Sequence, residues 1–153
     1  MSLTEETKDH IISETKQILN RNKERDAKLL SICELLEKEI ATFDWVGFYF
    51  ADPEGKQELH LGPYVGEATD HTRIPFGRGI CGQVPIMKGD AFVAQIDIDS
   101  NTRGSITKEQ RELLEEIAQL LGSEFWSVSE FSVTWTGSIS TAVVTFELKV
   151  KLL

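Results

Sequence analysis

The chain has 153 residues, of which 41% are hydrophobic, and a formal net charge of −9 at pH 7. This length supports one domain with a hydrophobic core, and the acidic balance offers no basic surface for nucleic acid or for an anionic membrane. Its two cysteines, Cys33 and Cys81, are too few for a disulfide framework. We find neither a membrane-spanning apolar run nor a signal peptide, and we predict a cytoplasmic protein.

Two amphipathic helices are predicted near the N-terminus. The first begins at about Thr4, a candidate N-cap, and ends at Leu19, and the second runs from about Glu24 to Thr42. Apolar residues recur at helical spacing along both, and the second helix carries Cys33 within its apolar stripe. We therefore predict that Cys33 is a core residue.

The pattern then changes to the alternation that is typical of β-strands. Strands are predicted at residues 44–50, 57–61 and 72–76, with a turn at residues 52–55 between the first two. A second turn is predicted at Gly62 and Pro63, because this dipeptide usually interrupts regular structure. The first two strands would form a hairpin.

A strand, a helix and a second hairpin are predicted in the rest of the chain. The strand covers residues 91–99, and the helix begins after Thr107, which forms a capping box with Gln110. Residues 127–153 are rich in Ser, Thr and Val and alternate in hydrophobicity. They predict a β-hairpin that turns near Gly137 and packs on the same sheet.

A glycine-rich turn follows the third strand and carries Cys81. Residues 73–82 have the sequence RIPFGRGICG and connect a strand to a segment with helix-start character. Backbone N–H groups at a helix N-terminus favour negative charge, so a cysteine there ionises more readily than a free one. Because the thiolate is the nucleophile, Cys81 is a candidate for redox or covalent chemistry.

The same turn has the spacing G-x-G-x-x-G of dinucleotide-binding folds. Asp97 and Asp99 follow at about the distance expected of a ribose-binding acid. Such a unit requires a full crossover helix after the third glycine, whereas here Pro85 arrives within a few residues and a strand follows at once. We reject this interpretation, and we assign the glycines to a tight turn.

Four segments together resemble a GAF domain of the small stand-alone kind that includes the free methionine-(R)-sulfoxide reductases. They are DWVGFY at 44–49, LHLGPYVG at 59–66, the glycine-rich turn at 73–82 and IDIDS at 96–100. With both N-terminal helices and the helix after Thr107, the resemblance covers residues 1–126. It implies an α+β fold, with an antiparallel sheet and the three helices on one face, to which residues 127–153 add an unusual C-terminal hairpin.

The resemblance also implies a pocket on one face of the sheet, which in the reductases holds free methionine sulfoxide. The matching positions are an aromatic pair, Trp45 and Tyr49, and two acids, Asp97 and Asp99. Strand alternation places each pair on one face of its strand. Aromatic faces accommodate a sulfonium-like or ammonium group, and carboxylates bind an amino group. We predict that these four residues bind a small-molecule ligand, for which free methionine sulfoxide is the candidate. We predict no metal and no cofactor. The alternative is that Trp45 is a core residue and that the two acids form an exposed edge.

The residues of the redox reaction are only partly present. The family uses three cysteines, and of these only Cys81 remains, because His71 stands where another is expected. The third belongs to a segment, together with a pocket glutamate, that this chain lacks between Val84 and Pro85. A catalytic Cys81 would need an external thiol, such as glutathione or thioredoxin, to resolve its sulfenic acid.

Loss of that segment would expose a sheet edge, and we predict that the C-terminal hairpin covers it, within the molecule or by exchange in a dimer. The alternative is that the C-terminal sequence arises from engineering or from an altered reading of the C-terminus.

Three functions follow from these observations. The first is a GAF small-molecule-binding domain with an incomplete set of redox cysteines. The second is an active reductase that uses Cys81. The third is a regulatory or scaffold module that forms a homodimer through its helices. An exposed apolar stripe on the first helix would support this third function. That stripe would consist of Ile11, Ile12, Ile18 and Leu19.

Overall fold

The computed structural model describes residues 3–51, 58–75, 92–100, 106–125, 128–137 and 141–150. Cys81 and most of the glycine-rich turn around it lie outside these residues, as do the turn predicted at 52–55 and the junction between Val84 and Pro85.

Three helices are present in the described chain, α1 (Glu5–Leu19), α2 (Arg25–Glu39) and α3 (Lys108–Phe125). The predicted N-cap of α1 is confirmed, because the Thr4 hydroxyl accepts a hydrogen bond from the backbone N–H of Thr7 at 3.1 Å. Helix α2 ends earlier than predicted. Ile40 is already extended, with φ −120° and ψ 102°, although its side chain stays buried and so prolongs the apolar pattern beyond the helix.

The capping box of α3 is also confirmed. The backbone N–H of Thr107 donates to Oε1 of Gln110 at 3.0 Å, and the backbone N–H of Gln110 donates to Oγ1 of Thr107 at 3.1 Å. These reciprocal bonds satisfy backbone donors that the first turn of a helix leaves without an intrahelical acceptor. The start of α3 is therefore determined locally.

The described strands form one antiparallel sheet in the order β3-β2-β1-β4-β6-β5. They are β1 (Trp45–Ala51), β2 (Glu58–Val65), β3 (Arg73–Pro75), β4 (Phe92–Asp99), β5 (Val128–Gly137) and β6 (Thr141–Val150). The α+β class and the antiparallel sheet are confirmed. The domain division at residue 126 and the covering role of the C-terminal hairpin stay predictions.

Strand β2 continues through Gly62 and Pro63, so the turn predicted there is wrong. The register between β1 and β2 shifts between Gly47 and Tyr49, and Phe48 alone lies opposite both Gly62 and Pro63. This arrangement is a β-bulge, in which one strand carries an extra residue. A bulge tolerates proline, which has no N–H to donate to the ladder.

The hydrophobic core lies between the helices and one face of the sheet. Buried side chains of α1, α2 and α3 pack against alternate residues of the two strands β1 and β4. The strand side of this core consists of Val46, Phe48, Ala94, Ile96 and Ile98, none more than 1% exposed. The intervening residues of both strands therefore face away from the helices.

The apolar stripe of α1 is buried within the chain, which corrects the expectation attached to the scaffold hypothesis. Its members are at most 8% exposed, because α1 packs in one cluster with α2 and α3; they are Ile11, Ile12, Ile18 and Leu19. Among the described large hydrophobic residues, Leu30 is the exposed one. The homodimer stays a prediction.

No helix in the described ranges is both long and apolar enough to cross a membrane.

Candidate functional site

Strands β1 and β4 bring the four predicted ligand-binding residues together. Trp45 pairs with Asp99 in the ladder, and Gly47 pairs with Asp97. Tyr49 lies two residues further along β1, on the same face of the sheet. Together with neighbouring residues, all four line a cavity of about 440 Å³ on the face opposite the helices.

The two acids do not form an exposed edge, so that alternative is wrong. Strand β4 lies between β1 and β6, and Asp97 is only 3% exposed. Its Oδ1 accepts a hydrogen bond of 2.8 Å from Nε2 of Gln95, which is also buried. Asp99 is half-buried, and its Oδ1 accepts from the backbone N–H of Ser100 at 2.8 Å. The site therefore contains two oriented carboxylates.

The two aromatic side chains use their polar atoms to hold a loop. Nε1 of Trp45 donates to the backbone carbonyl of Glu67 at 3.1 Å, and Oη of Tyr49 donates to that of His71 at 2.9 Å. The ring centroids of Trp45 and Tyr49 are 6.2 Å apart, with the planes tilted by 30°. Because both polar groups bind the protein itself, these residues present aromatic carbon to the cavity.

The loop at residues 66–72 contributes to the cavity, a role that was not predicted from the sequence. Gly66 begins it with φ +115°, and a Cβ at this position would lie 2.8 Å from the carbonyl oxygen of Asp44. Glycine is therefore required both by its conformation and by the available space. Glu67, Ala68 and Thr69 then line the cavity. The sequence signal for this loop was a glycine at the end of a strand, followed by polar residues.

The described lining is acidic. Asp44 and Glu67 join Asp97 and Asp99 around the cavity, and neither lysine nor arginine is present among the lining residues that the structure describes. Carboxylates close to one another favour a cation over an anion. The described part of the cavity lining therefore carries negative charge.

The described thiol lies away from this cavity. Cys33 is fully buried in α2 and donates to the backbone carbonyl of Pro63, with an Sγ–O distance of 3.7 Å. Burial raises the pKa of the Cys33 thiol far above its ordinary value, so the thiolate is suppressed. The prediction that Cys33 is a core residue is confirmed. His71 is exposed, and its relation to Cys81 lies outside the described residues.

Metal binding has no support in the described part of the chain, where no group of three or more His, Cys, Asp or Glu residues is placed to hold an ion.

An α+β fold with an antiparallel sheet and helices on one face is shared with solved GAF domains. A solved GAF domain superposes on the chain with a TM-score of 0.67 and 22% identity, covering 78% of this chain and 88% of that one. No protein-family model matches the chain.

Free methionine-R-sulfoxide reductases are among the similar structures and sequences. The type II enzyme of Thermoplasma acidophilum has a TM-score of 0.55 and 25% identity, covering 71% of this chain and 92% of that one. The Staphylococcus aureus enzyme, solved with its substrate, has a TM-score of 0.66 and 21% identity, covering 81% and 99%. The Escherichia coli enzyme is 26% identical over 126 residues, which are 61% of this chain and 74% of that one.

The protein YtsP of Bacillus subtilis is 50% identical over 48 residues, which span 31% of this chain and 28% of YtsP. The match therefore covers less than a third of that relative's length. Taken together, the comparisons show that the chain has a GAF-type fold like that of the free methionine-R-sulfoxide reductases.

Proposed function

We propose that the chain is a GAF small-molecule-binding domain whose cavity takes a small ligand with an ammonium group, and that free methionine sulfoxide is this ligand. The observation that carries the proposal is the placement of two aromatic rings and two carboxylates around one cavity, from Trp45, Tyr49, Asp97 and Asp99. The reductases with similar folds include one solved with its substrate.

Each pair of residues has a separate part in this proposal. The carboxylates of Asp97 and Asp99 bind the ammonium group through charge-assisted hydrogen bonds, which are about twice as strong as neutral ones. The faces of Trp45 and Tyr49 contact the sulfur-bearing side chain, whose sulfoxide sulfur carries partial positive charge. A ligand without the ammonium group would lose the first set of interactions and keep the second.

The test is calorimetric titration of the intact chain with free methionine-(R)-sulfoxide and with its N-acetyl derivative, which lacks the ammonium charge. We expect binding of the free amino acid only. In Asp99→Asn the affinity should fall roughly tenfold or more, because a hydrogen bond to a charged group is lost. Asp9→Asn changes the charge equally at an exposed position of α1 and should bind as the wild type does. Equal binding of both ligands would contradict the proposal.

A second candidate is reductase activity through Cys81, which the named relatives favour. The Cys81 thiolate would attack the sulfoxide sulfur, and the oxygen would pass to the cysteine with uptake of one proton from solvent, leaving methionine and a Cys81 sulfenic acid. An external thiol would displace water to form a mixed disulfide, and a second would release reduced Cys81 together with an oxidised disulfide. Cys33 is buried and far less reactive, so the reductant must come from outside the chain.

This candidate is tested by measuring methionine formation from free methionine-(R)-sulfoxide with glutathione or with thioredoxin and its reductase. Turnover should disappear in Cys81→Ser and persist in Cys33→Ala, which removes the other thiol. Turnover that survives Cys81→Ser would exclude Cys81 as the nucleophile. Binding of methionine sulfoxide without any thiol-dependent turnover would exclude the reductase candidate and support ligand binding as the function.

A further inference from the structure

Gln95 is a buried polar residue next to two residues that line the cavity, Tyr49 and Asp97. It lies on β4 two residues before Asp97 and pairs with Tyr49 of β1, so it shares the cavity face of the sheet. It is 4% exposed and does not line the cavity itself. Placing an amide there costs desolvation free energy unless the amide is hydrogen-bonded, so the position requires a physical reason.

The hydrogen bond from Gln95 to Asp97 supplies that reason. Nε2 of Gln95 is 2.8 Å from Oδ1 of Asp97, and both side chains are almost completely buried. An ionised carboxylate only accepts hydrogen bonds, so the amide nitrogen must face it. A donor of this kind stabilises the ionised form and restricts the rotation of the carboxylate.

We propose that Gln95 is a positioning residue that keeps the Asp97 carboxylate ionised and oriented in the cavity to receive the ammonium group of the ligand. The inference deepens the proposed function, and its last part rests on that function. Gln95 acts through Asp97 and does not contact the ligand.

The described carboxylates that line the same cavity give such a donor a role. Asp99 on β4, Asp44 before β1 and Glu67 after β2 line the same cavity as Asp97, so negative charge is concentrated there. Tyr49 is the remaining titratable neighbour among the described lining residues. On β6 the residue in register with Asp97 is Val143, which does not ionise. Gln95 therefore offsets repulsion from the acidic groups.

The first test uses the ligand-free protein. The carboxyl carbon of Asp97 is followed by carbon-13 NMR as the pH is changed, in the wild type and in Gln95→Met, which has similar volume but cannot donate. We expect the Asp97 titration midpoint to rise by about one pH unit in the variant. Should Gln95→Met fail to fold, Gln95→Val tests the same loss. Ile96→Val alters the opposite face of β4 and should leave the midpoint unchanged.

The second test measures binding of free methionine-(R)-sulfoxide across the same pH range. In Gln95→Met the affinity should fall by about tenfold, and the loss should increase as the pH is lowered through the raised midpoint. An unchanged Asp97 midpoint in both Gln95 variants overturns the positioning role whatever the binding result. A raised midpoint in a protein that binds no methionine sulfoxide supports the positioning role and overturns only the proposed ligand.

Discussion

The indole ring of Trp45 stacks on the phenol ring of Tyr64, with the ring centroids 5.3 Å apart and the planes at 21°. The stack occupies the space that a side chain at Gly47 would need, since Gly47 pairs with Tyr64 across the ladder. One aromatic wall of the cavity is therefore supported by a second aromatic residue on the neighbouring strand. The absence of a side chain at Gly47 makes this support possible.

Gly47→Ala should disturb this stack. The added Cβ would lie 2.7 Å from Cζ3 of Trp45 and 2.7 Å from Cβ of Tyr64, closer than side chains can approach without a shift. We expect a loss of about 1–3 kcal/mol in the free energy of unfolding, measured by urea denaturation, with a change in tryptophan fluorescence. The cost should shrink in a Trp45→Phe background, where the outer indole ring is absent. An equal cost in both backgrounds would mean that Trp45 does not cause the clash.

Tyr49→Phe should loosen the loop at residues 66–72 while leaving the aromatic face in place. The variant loses the hydrogen bond of 2.9 Å from Oη of Tyr49 to the carbonyl of His71. We expect a loss of about 0.5–1.5 kcal/mol in stability and faster hydrogen exchange at the amide of Thr72, which bonds within the same loop. Tyr64→Phe removes a hydroxyl from the neighbouring ring and should leave this exchange unchanged. Slower or equal exchange in Tyr49→Phe would contradict the anchoring role.

Cys33 should make the protein less stable at alkaline pH. Burial keeps the thiol protonated in the folded state, whereas the unfolded thiol ionises above about pH 8.5. The unfolded state then binds fewer protons than the folded state, so stability is fully present below that pH and falls as the pH rises.

This contribution is measured by comparing the wild type with Cys33→Ala in denaturant titrations over a range of pH. The destabilisation caused by Cys33→Ala should decrease above about pH 8.5, by up to about 1.4 kcal/mol per pH unit. Ser31→Ala, also on α2, should have a cost that does not vary with pH. A constant difference between wild type and Cys33→Ala would show that the thiol titrates normally.

Thr107→Ala should weaken the start of α3. It removes the acceptor for the backbone N–H of Gln110, and we expect a loss of about 1 kcal/mol in the free energy of unfolding. Lys108→Ala, at an exposed position one residue later, should cost much less. Equal costs for the two variants would exclude a capping contribution from Thr107.

The helices could be predicted from the sequence because the signals that define them are local. Thr4 and Thr107 act within three residues of their own position, and the stripe of α1 follows the helical period. Sequence reasoning misjudged Gly62 and Pro63, since a dipeptide typical of turns lies here in a bulge that only the pairing with β1 defines. It also missed that the loop after Gly66 borders the cavity, because the position of this loop depends on hydrogen bonds from distant aromatic side chains.

The amino-acid sequence by itself determined the helices, the burial of Cys33 and the strand faces that carry Trp45 and Asp97, because helical period, strand alternation and capping act between near neighbours. The α+β class followed from the resemblance of its motifs to a GAF domain. Only the tertiary structure decided that β1 lies beside β4, that loop 66–72 borders the cavity and that Gln95 bonds to Asp97 in a buried site. These features depend on strand register and on burial, which are set by contacts between residues far apart in the chain.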